Sequence, residues 1–594
     1  MEDPRIISAL FIFLKMAYYN VLINNDMLGH VTHVDTEQII IEIENSNLMN
    51  KICVGNLVAI ETSKQHENLI ALIDKVTRKY METYMDEDNE IDEMMASSTD
   101  YIKVSVIGTY YSVYGSVHDL FKRGVETFPQ IESKCYEIIG QNLQNFMNIL
   151  GKDIDTDKRL KIGSFMMDTS AEAVLDGNKF FQRHAAVLGS TGSGKSWCVA
   201  NILEKASKLK YTNIIVFDMH GEYKSLTERT DAIAQSFKIA GPGDLETSND
   251  DALFLPYWLL NREELLSMIL DRSDSNAPNQ ASRFTLHIRS LKEATLTREG
   301  KTDTLKTFTV DSPIPFLMTD LLELLKDDDT RKGMGKNGPI KGEWEGKLTR
   351  FISRLETKIA DKTYGFMFQP TDEIQMYNWL ANLACRLLGY QSGQKGIKII
   401  DFSEVPSDVL PVVTGTLARL LYDIQFWMNE QKRTPFTLVC DEAHLYLPIK
   451  EDADAVQKQA LYNFERIAKE GRKYGVSILA VSQRPADVSK TILSQCNNFV
   501  VLRLTNERDK GVIKNLLPDS LKSTIEFLPL LDVGEALVVG DAILLPSKIV
   551  LDKPLDTHRP ISATKDFWDE WDNNEPDNDA INEAIEALRK QCRG

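Results

Sequence analysis

A glycine-rich segment, GSTGSGKS at positions 189–196, has the residue types that hold the phosphates of a nucleotide. It fits the pattern G-x-x-x-x-G-K-[ST], with an apolar run before it and a helical pattern after it. Its glycines let backbone N–H groups curl around anionic oxygens, and the following helix directs its positive end at them. Lys195 is expected to reach the β and γ phosphates, and Ser196 to bind Mg²⁺. The residues expected to surround ATP are Gly189, Thr191, Gly192, Ser193, Gly194, Lys195 and Ser196.

Two carboxylates follow a second apolar run, PFTLVCDEAH. Asp441 is expected to hold Mg²⁺ through water, and Glu442 to polarise the water that attacks the γ-phosphate. This second acid suits hydrolysis, since a kinase uses its substrate as the nucleophile. A surface ion pair is the alternative for Glu442. Asp218 ends the run IIVFD and is expected to point to the same site, with a role in folding alone as its alternative.

One amide and three cations complete the candidate site. Gln483 ends the run ILAVSQ and is expected to sense the γ-phosphate. Arg466 and Arg472 precede that run, and Arg183 precedes the phosphate loop. An arginine from a neighbouring subunit can neutralise transition-state charge. A cation on a helix surface is the alternative for each of them.

The elements that must position these residues follow from the patterning. From Val21 to about Tyr111 short runs alternate with period two, which predicts a small antiparallel barrel. From Ile162 onward, apolar strands alternate with helical patterns, which predicts a parallel sheet covered by helices. The predicted segments are an N-terminal arm (1–20), a β-barrel (21–115), a helical linker (116–160), a first core part (161–225), a mostly helical insertion (226–395), a second core part (396–560) and an acidic tail with a helix (561–594).

Composition limits the ligands and the cellular compartment that are expected for this chain. The chain has 594 residues and a net charge of −19, so binding of nucleic acid over its whole surface is disfavoured. Seven scattered cysteines without a C-x-x-C pair predict reduced thiols in the cytoplasm. The apolar run Ile6 to Leu14 is too short to span a bilayer, so no membrane association is expected. Any contact with nucleic acid needs a locally basic element. The first candidate is the glycine-rich stretch 331–350, predicted to be a mobile loop whose Lys332, Lys336 and Lys341 contact DNA; its alternative is a solvated surface loop.

The motifs together resemble the HerA ATPases of the HerA–FtsK branch. The resemblance is carried by RHAAVLGSTGSGKS, FDMHGEY, LVCDEAHLYLP, the run from Ile467 to Asp509, and EALVVGDAILLPSKIVLDKP. It implies a RecA-like or FtsK-like P-loop core behind a HAS-barrel-like domain. It also implies a homohexamer that moves double-stranded DNA with ATP, together with an effector such as a nuclease or a sirtuin-like enzyme, in DNA processing or antiphage defence.

By motif position, the resemblance makes Lys195 and Ser196 the phosphate and Mg²⁺ ligands, Glu442 the catalytic base and Gln483 the sensor. Arg472 or Arg466 would act at the subunit interface. Two other functions remain open: an ATP-controlled scaffold that gates a partner enzyme with little movement, and a pump for protein substrates. DNA-stimulated hydrolysis distinguishes the first function from both.

Overall fold

The computed structural model describes residues 27–35, 38–44, 47, 49, 52–64, 67–83, 95–111, 120–152, 154–166, 168–228, 230–245, 251–335, 338–389, 394–517, 519–561, 567–573, 575 and 577–590. The predicted N-terminal arm lies outside these residues. The chain divides into two compact units. One comprises residues 1–180, 188–198 and 497–553, and the other comprises residues 181–187, 199–496 and 554–594.

The first unit begins with an antiparallel barrel. Its strands are β1 (Met27–Val34), β2 (Ile39–Ile43), β3 (Leu57–Glu61), β4 (Glu67–Thr83), β5 (Met95–Tyr111), β6 (Leu120–Arg123) and β7 (Lys134–Ile138). They pair in the order β2-β1-β7-β3-β4-β5-β6, and β2 also pairs with β5, which closes the barrel. Alternating side chains such as Ile39, Ile41 and Val104 fill the interior. The predicted barrel is confirmed.

Further strands and helices follow the barrel along the chain. The strands are β8 (Arg159–Phe165), β9 (Asp168–Asp176), β10 (Ala185–Leu188), β11 (Ile214–Asp218), β12 (Ala234–Ile239), β13 (Ala252–Leu253), β14 (Gly333–Gly335), β15 (Gly338–Ile340), β16 (Ile397–Asp401), β17 (Phe436–Cys440), β18 (Val476–Ser482), β19 (Asn498–Val501), β20 (Glu535–Gly540) and β21 (Ser547–Leu551). The helices are α1 (Gly140–Lys152), α2 (Gly177–Gln182), α3 (Lys195–Ala206), α4 (Arg262–Ile269), α5 (Ala277–Arg298), α6 (Thr302–Thr307), α7 (Met318–Thr330), α8 (Thr349–Ala360), α9 (Gly365–Phe368), α10 (Trp379–Leu388), α11 (Leu410–Trp427), α12 (Ala455–Glu470), α13 (Lys490–Gln495), α14 (Glu507–Leu516), α15 (Phe567–Asn573) and α16 (Asn578–Lys590).

The segment predicted as a helical linker (116–160) is helical only in part. Strands β6 and β7 precede α1, and β7 lies between β1 and β3 in the barrel. The helical prediction therefore fails over β6 and β7, because pairing with neighbouring barrel strands overrides a local preference. Strands β4 and β5 pair as far as Thr83.

The second unit is built on a largely parallel sheet with the strand order β13-β12-β16-β11-β17-β18-β10. Neighbours from β13 to β18 pair in parallel. Every residue of β11, β17 and β18 is buried, as expected for strands with helices on both faces. The predicted α/β core with a parallel sheet is confirmed. In the first unit, β19, β20, β21, β8 and β9 pair antiparallel in that order.

The segment predicted as a mostly helical insertion contains helices α4 to α10. It also contains β12 and β13, which extend the parallel sheet, and the separate hairpin β14–β15. Strand β12 was missed because its sequence, AQSFKI, is polar at positions that the sheet leaves half-buried. Among the described helices, none is both long and apolar enough to cross a bilayer.

Candidate functional site

The phosphate loop begins where β10 ends, and its shape depends on three glycines. Gly192 and Gly194 have φ angles of +72° and +102°, in the region that side chains rarely adopt. A Cβ on Gly189 would lie 2.6 Å from Ser193 Oγ and 2.8 Å from Leu502 Cβ. Gly192 and Gly194 are therefore required for their backbone conformation, and Gly189 is required because a side chain would clash with its neighbours.

Hydrogen bonds fix the loop from inside. The Ser190 N–H donates to the Arg503 carbonyl at 2.8 Å. The carbonyl of Ser190 accepts from Ser193 Oγ at 2.7 Å and from Lys195 Nζ at 3.2 Å. Lys195 is buried and opens α3, with Ser196 as the second residue of that helix. Thr191 and Gly192 are exposed. A backbone curved in this way at a helix N-terminus, with one buried ammonium, fits a chain of phosphates.

Asp218 and Asp441 lie at the carboxyl ends of two adjacent parallel strands. Phe217 of β11 pairs with Cys440 of β17, and the Asp441 N–H donates to the Phe217 carbonyl at 3.2 Å. Asp218 is 1% exposed and Asp441 is 4% exposed. Burial, with Asp218 and Glu442 nearby, raises the pKa of Asp441 well above its usual range. These buried acids favour a cation beside them.

The Asp218 carboxylate is bound by the turn that follows it. It accepts N–H bonds from Tyr223 at 2.9 Å, from Glu222 at 3.1 Å and from His220 at 3.3 Å. Burial nevertheless raises the pKa of Asp218 to about 6, although these three bonds oppose the shift. The carboxylate thus fixes the backbone of the turn from His220 to Tyr223 that follows β11.

Glu442 has an unusual backbone. Its φ of 42° is left-handed, which is uncommon for a residue other than glycine and often marks a functional constraint. The residue is 9% exposed, and its Oε2 lies 3.2 Å from His444 Nδ1. The same Nδ1 lies 3.4 Å from Ser482 Oγ at the end of β18. The surface ion pair considered for Glu442 does not describe this buried carboxylate.

Two residues of the acidic cluster were not predicted. Asp401 ends β16, pairs in register with Asp218 and helps to raise its pKa. Tyr223 is fully buried, and its hydroxyl has no hydrogen-bond partner among the described residues. Burial and the carboxylates, Asp441 foremost among them, raise the pKa of Tyr223 well above its usual range. Asp401 was detectable because IKIID is an apolar run with a terminal acid, but no sequence signal marks Tyr223.

Gln483 and Arg183 lie next to strands of the same sheet. Gln483 directly follows β18, which neighbours β17, and is half-buried. Arg183 is half-buried ahead of β10. Its neighbour His184 is buried, with a left-handed φ of 47°, and its Nδ1 accepts the Ile478 N–H at 3.0 Å. Burial lowers the pKa of His184 to about 4, so this imidazole is neutral and ties β18 to the segment before the loop.

The two remaining arginines differ in their surroundings. Arg466 on α12 lies 3.3 Å from Asp423 and 3.9 Å from Glu470, and stacks 4.8 Å from the ring centre of Tyr422. Arg472 lies in the turn after α12 and is exposed. Only Arg472, of these two, is directed into solvent.

Comparison with known proteins shows which family the chain is similar to. Residues 160–421 match the family model DUF87, described as the helicase HerA central domain. The chain is 27% identical over 447 residues to a probable helicase of Methanocaldococcus jannaschii, covering 74% of this chain and 75% of the relative. It is 26% identical over 423 residues to the DNA double-strand break repair helicase HerA of Saccharolobus solfataricus, covering 70% and 72%. The predicted resemblance to HerA proteins is confirmed.

Solved structures show a more distant similarity. The chain aligns with VirB4 of Thermoanaerobacter pseudethanolicus at 16% identity and a TM-score of 0.43, covering 67% of this chain and 98% of that structure. A similarity of this size carries no functional argument.

Proposed function

We propose that the chain is an ATPase of the HerA helicase type, which it resembles, and that it hydrolyses ATP to move double-stranded DNA. The observation that supports this most directly is the phosphate loop, whose left-handed glycines and buried Lys195 suit a triphosphate. The acids at the carboxyl ends of β11 and β17, Asp218, Asp441 and Glu442, are proposed to position Mg²⁺ and the attacking water. We propose that both sets of residues act on one nucleotide.

In this mechanism the loop N–H groups and Lys195 bind the β and γ phosphates, while Thr191 lies at the exposed rim of the loop. Ser196 and Asp441 would hold Mg²⁺, which neutralises phosphate charge when it is bound. Among the described residues no three His, Cys, Asp or Glu side chains are grouped as a metal site. A Mg²⁺ ion held by one or two protein oxygens, waters and phosphates requires no such group.

Glu442 is the proposed general base. Its backbone is left-handed, and its buried carboxylate lies beside His444, with Oε2 3.2 Å from Nδ1. The proton of the attacking water passes to a Glu442 carboxylate oxygen as the water oxygen bonds to the γ-phosphorus. The bond between that phosphorus and the oxygen bridging it to the β-phosphate breaks, so ADP leaves and inorganic phosphate is formed. Gln483, which follows β18, would bind the γ-phosphate and signal its loss. Asp218 acts through the turn that it binds, as a positioning residue.

The active form is proposed to be a homohexamer in which Arg472 enters the site of the next subunit. Its exposure supports this role, because a residue that acts in trans must be reachable from outside its own subunit. Arg183, ahead of β10, is a further cation proposed for the same interface. We further propose that the protein acts in the cytoplasm with an effector enzyme such as a nuclease or a sirtuin-like protein. Its proposed role is in DNA processing or antiphage defence.

DNA-stimulated ATP hydrolysis tests the proposal. Wild-type protein and Lys195→Ala would be assayed with and without linear duplex DNA. We expect duplex to raise the wild-type rate and Lys195→Ala to show neither basal nor stimulated turnover, since its ammonium compensates phosphate charge. Hydrolysis that duplex leaves unchanged would contradict the motor and favour an ATP-controlled scaffold. Normal turnover by Lys195→Ala would place the site elsewhere.

A further inference from the structure

A small hairpin in the insertion has a composition unlike the rest of this acidic chain. Strands β14 and β15 pair antiparallel, with Met334 opposite Pro339 and Gly333 opposite Ile340. The two backbone segments stay close beyond the strands: a Cβ on Gly342 would lie only 1.8 Å from the Arg331 carbonyl oxygen. The stretch 331–350, predicted to be a mobile loop, is therefore a hairpin at its start. Lys336, also predicted to contact DNA, lies outside the described residues.

The pairing sorts the side chains of this hairpin. Side chains alternate along a strand and directly opposite residues share a face. Lys332, Met334, Pro339 and Lys341 therefore lie on one face, which we call the lysine face. All four are exposed, Met334 to 89%. The glycines leave the other face almost bare, with Ile340 as its main side chain.

Four of the five acids around the hairpin are engaged at its base, and the fifth, Glu343, is exposed, so two lysines outnumber one exposed carboxylate. Asp327 pairs with Arg331, and Asp328 binds Arg283 and His287. Asp329 accepts the Leu348 N–H at 2.7 Å and the Thr349 hydroxyl at 2.6 Å. Glu345 accepts the Gly342 N–H at 2.9 Å. Among the described residues, neither Lys332 nor Lys341 has an ion-pair partner.

From this arrangement we infer that the lysine face binds duplex DNA, with Lys332 and Lys341 on phosphates and Met334 and Pro339 against the bases. The inference rests on the proposed function, which it deepens by naming a DNA contact. The two lysines without an ion-pair partner suit the negatively charged phosphates of duplex DNA. The exposed apolar pair beside them suits the stacked bases, since apolar side chains such as Met and Pro pack against base steps. None of these groups reads a base edge by hydrogen bonding, so the contact is independent of sequence.

The test measures duplex affinity against salt concentration by fluorescence anisotropy, using the full chain. The variant Lys332→Ala/Lys341→Ala is compared with Lys362→Ala/Lys395→Ala, which removes the same charge from exposed positions elsewhere. Each lost phosphate contact reduces the slope of log affinity against log salt by about 0.9, so the first variant should lose about 1.8 and the control nothing. At moderate salt its affinity should fall at least about tenfold.

A second variant separates the apolar contribution. Met334→Ser should weaken binding several-fold without changing the salt slope, and Met334→Leu should bind as wild type does. An unchanged slope in the double lysine variant, or an equal loss in the control, would overturn the inference. Loss of a bound protein partner with DNA binding intact would overturn it too, in favour of a protein surface. If the wild-type chain binds no DNA, the proposed function has failed rather than the hairpin assignment alone.

Discussion

The guanidinium of Arg466 lies 3.3 Å from the carboxylate of Asp423 on α11. The same group stacks on Tyr422, so this arginine connects α12 to α11 within its own subunit. A side chain held in this way must break its contacts before it can reach a neighbouring site. Arg472, six positions later and exposed, carries no such cost.

Arg472→Ala should therefore lose ATP hydrolysis while keeping nucleotide binding and thermal stability. Arg466→Ala should instead lower the thermal midpoint, because it removes a part-buried ion pair and a ring contact. Mixing Arg472→Ala with Glu442→Gln subunits should restore part of the activity, since some interfaces then carry both intact residues. Hydrolysis rates of mixed and separate variants check this, with mass photometry to confirm the hexamer. An active monomer would contradict it.

Glu442→Gln should bind ATP and Mg²⁺ but hydrolyse at a rate reduced by about 10²–10⁴, because the amide preserves the shape and cannot accept a proton. Asp441→Asn should instead weaken Mg²⁺-dependent binding. Nucleotide titrations and single-turnover hydrolysis separate the two variants. If Asp441→Asn bound normally and failed only in hydrolysis, the two roles would be exchanged.

His184 predicts a pH dependence of stability. The folded-state pKa is lowered to about 4 from 6.5, so between these values the unfolded chain takes up a proton that the folded chain does not. Stability is therefore lost as pH falls through this window, by up to roughly 3 kcal/mol from this group. His184→Asn retains an acceptor oxygen near the Nδ1 position for the Ile478 N–H and does not titrate. The fall in thermal midpoint from neutral to acidic pH should be smaller in that variant, and an equal fall would contradict the assignment.

Much of the fold was predictable because apolar runs mark buried strands. Ala185–Leu188 and Phe436–Cys440 match β10 and β17, and the C-terminal helix follows the amphipathic pattern near Asp579. Strands β7 and β12 were missed, since each depends on neighbours distant in sequence. The bounds predicted for the domains stay predictions.

The candidate site was predictable where a residue ends a strand or lies in the phosphate loop. Glu442 and Gln483 were predicted in this way. Tyr223 was not, because it comes to lie near the acids through a turn whose shape depends on Asp218. The difference between Arg466 and Arg472 was also hidden, since both occur in one basic helical stretch and only packing against α11 separates them.

Movement along DNA driven by ATP hydrolysis is the central claim, and displacement of streptavidin from a biotinylated duplex end measures it directly. Wild-type protein with ATP should release streptavidin, whereas Glu442→Gln with ATP, and wild type with a non-hydrolysable analogue, should not. Wild-type protein that binds the duplex and hydrolyses ATP yet leaves streptavidin in place would contradict the claim.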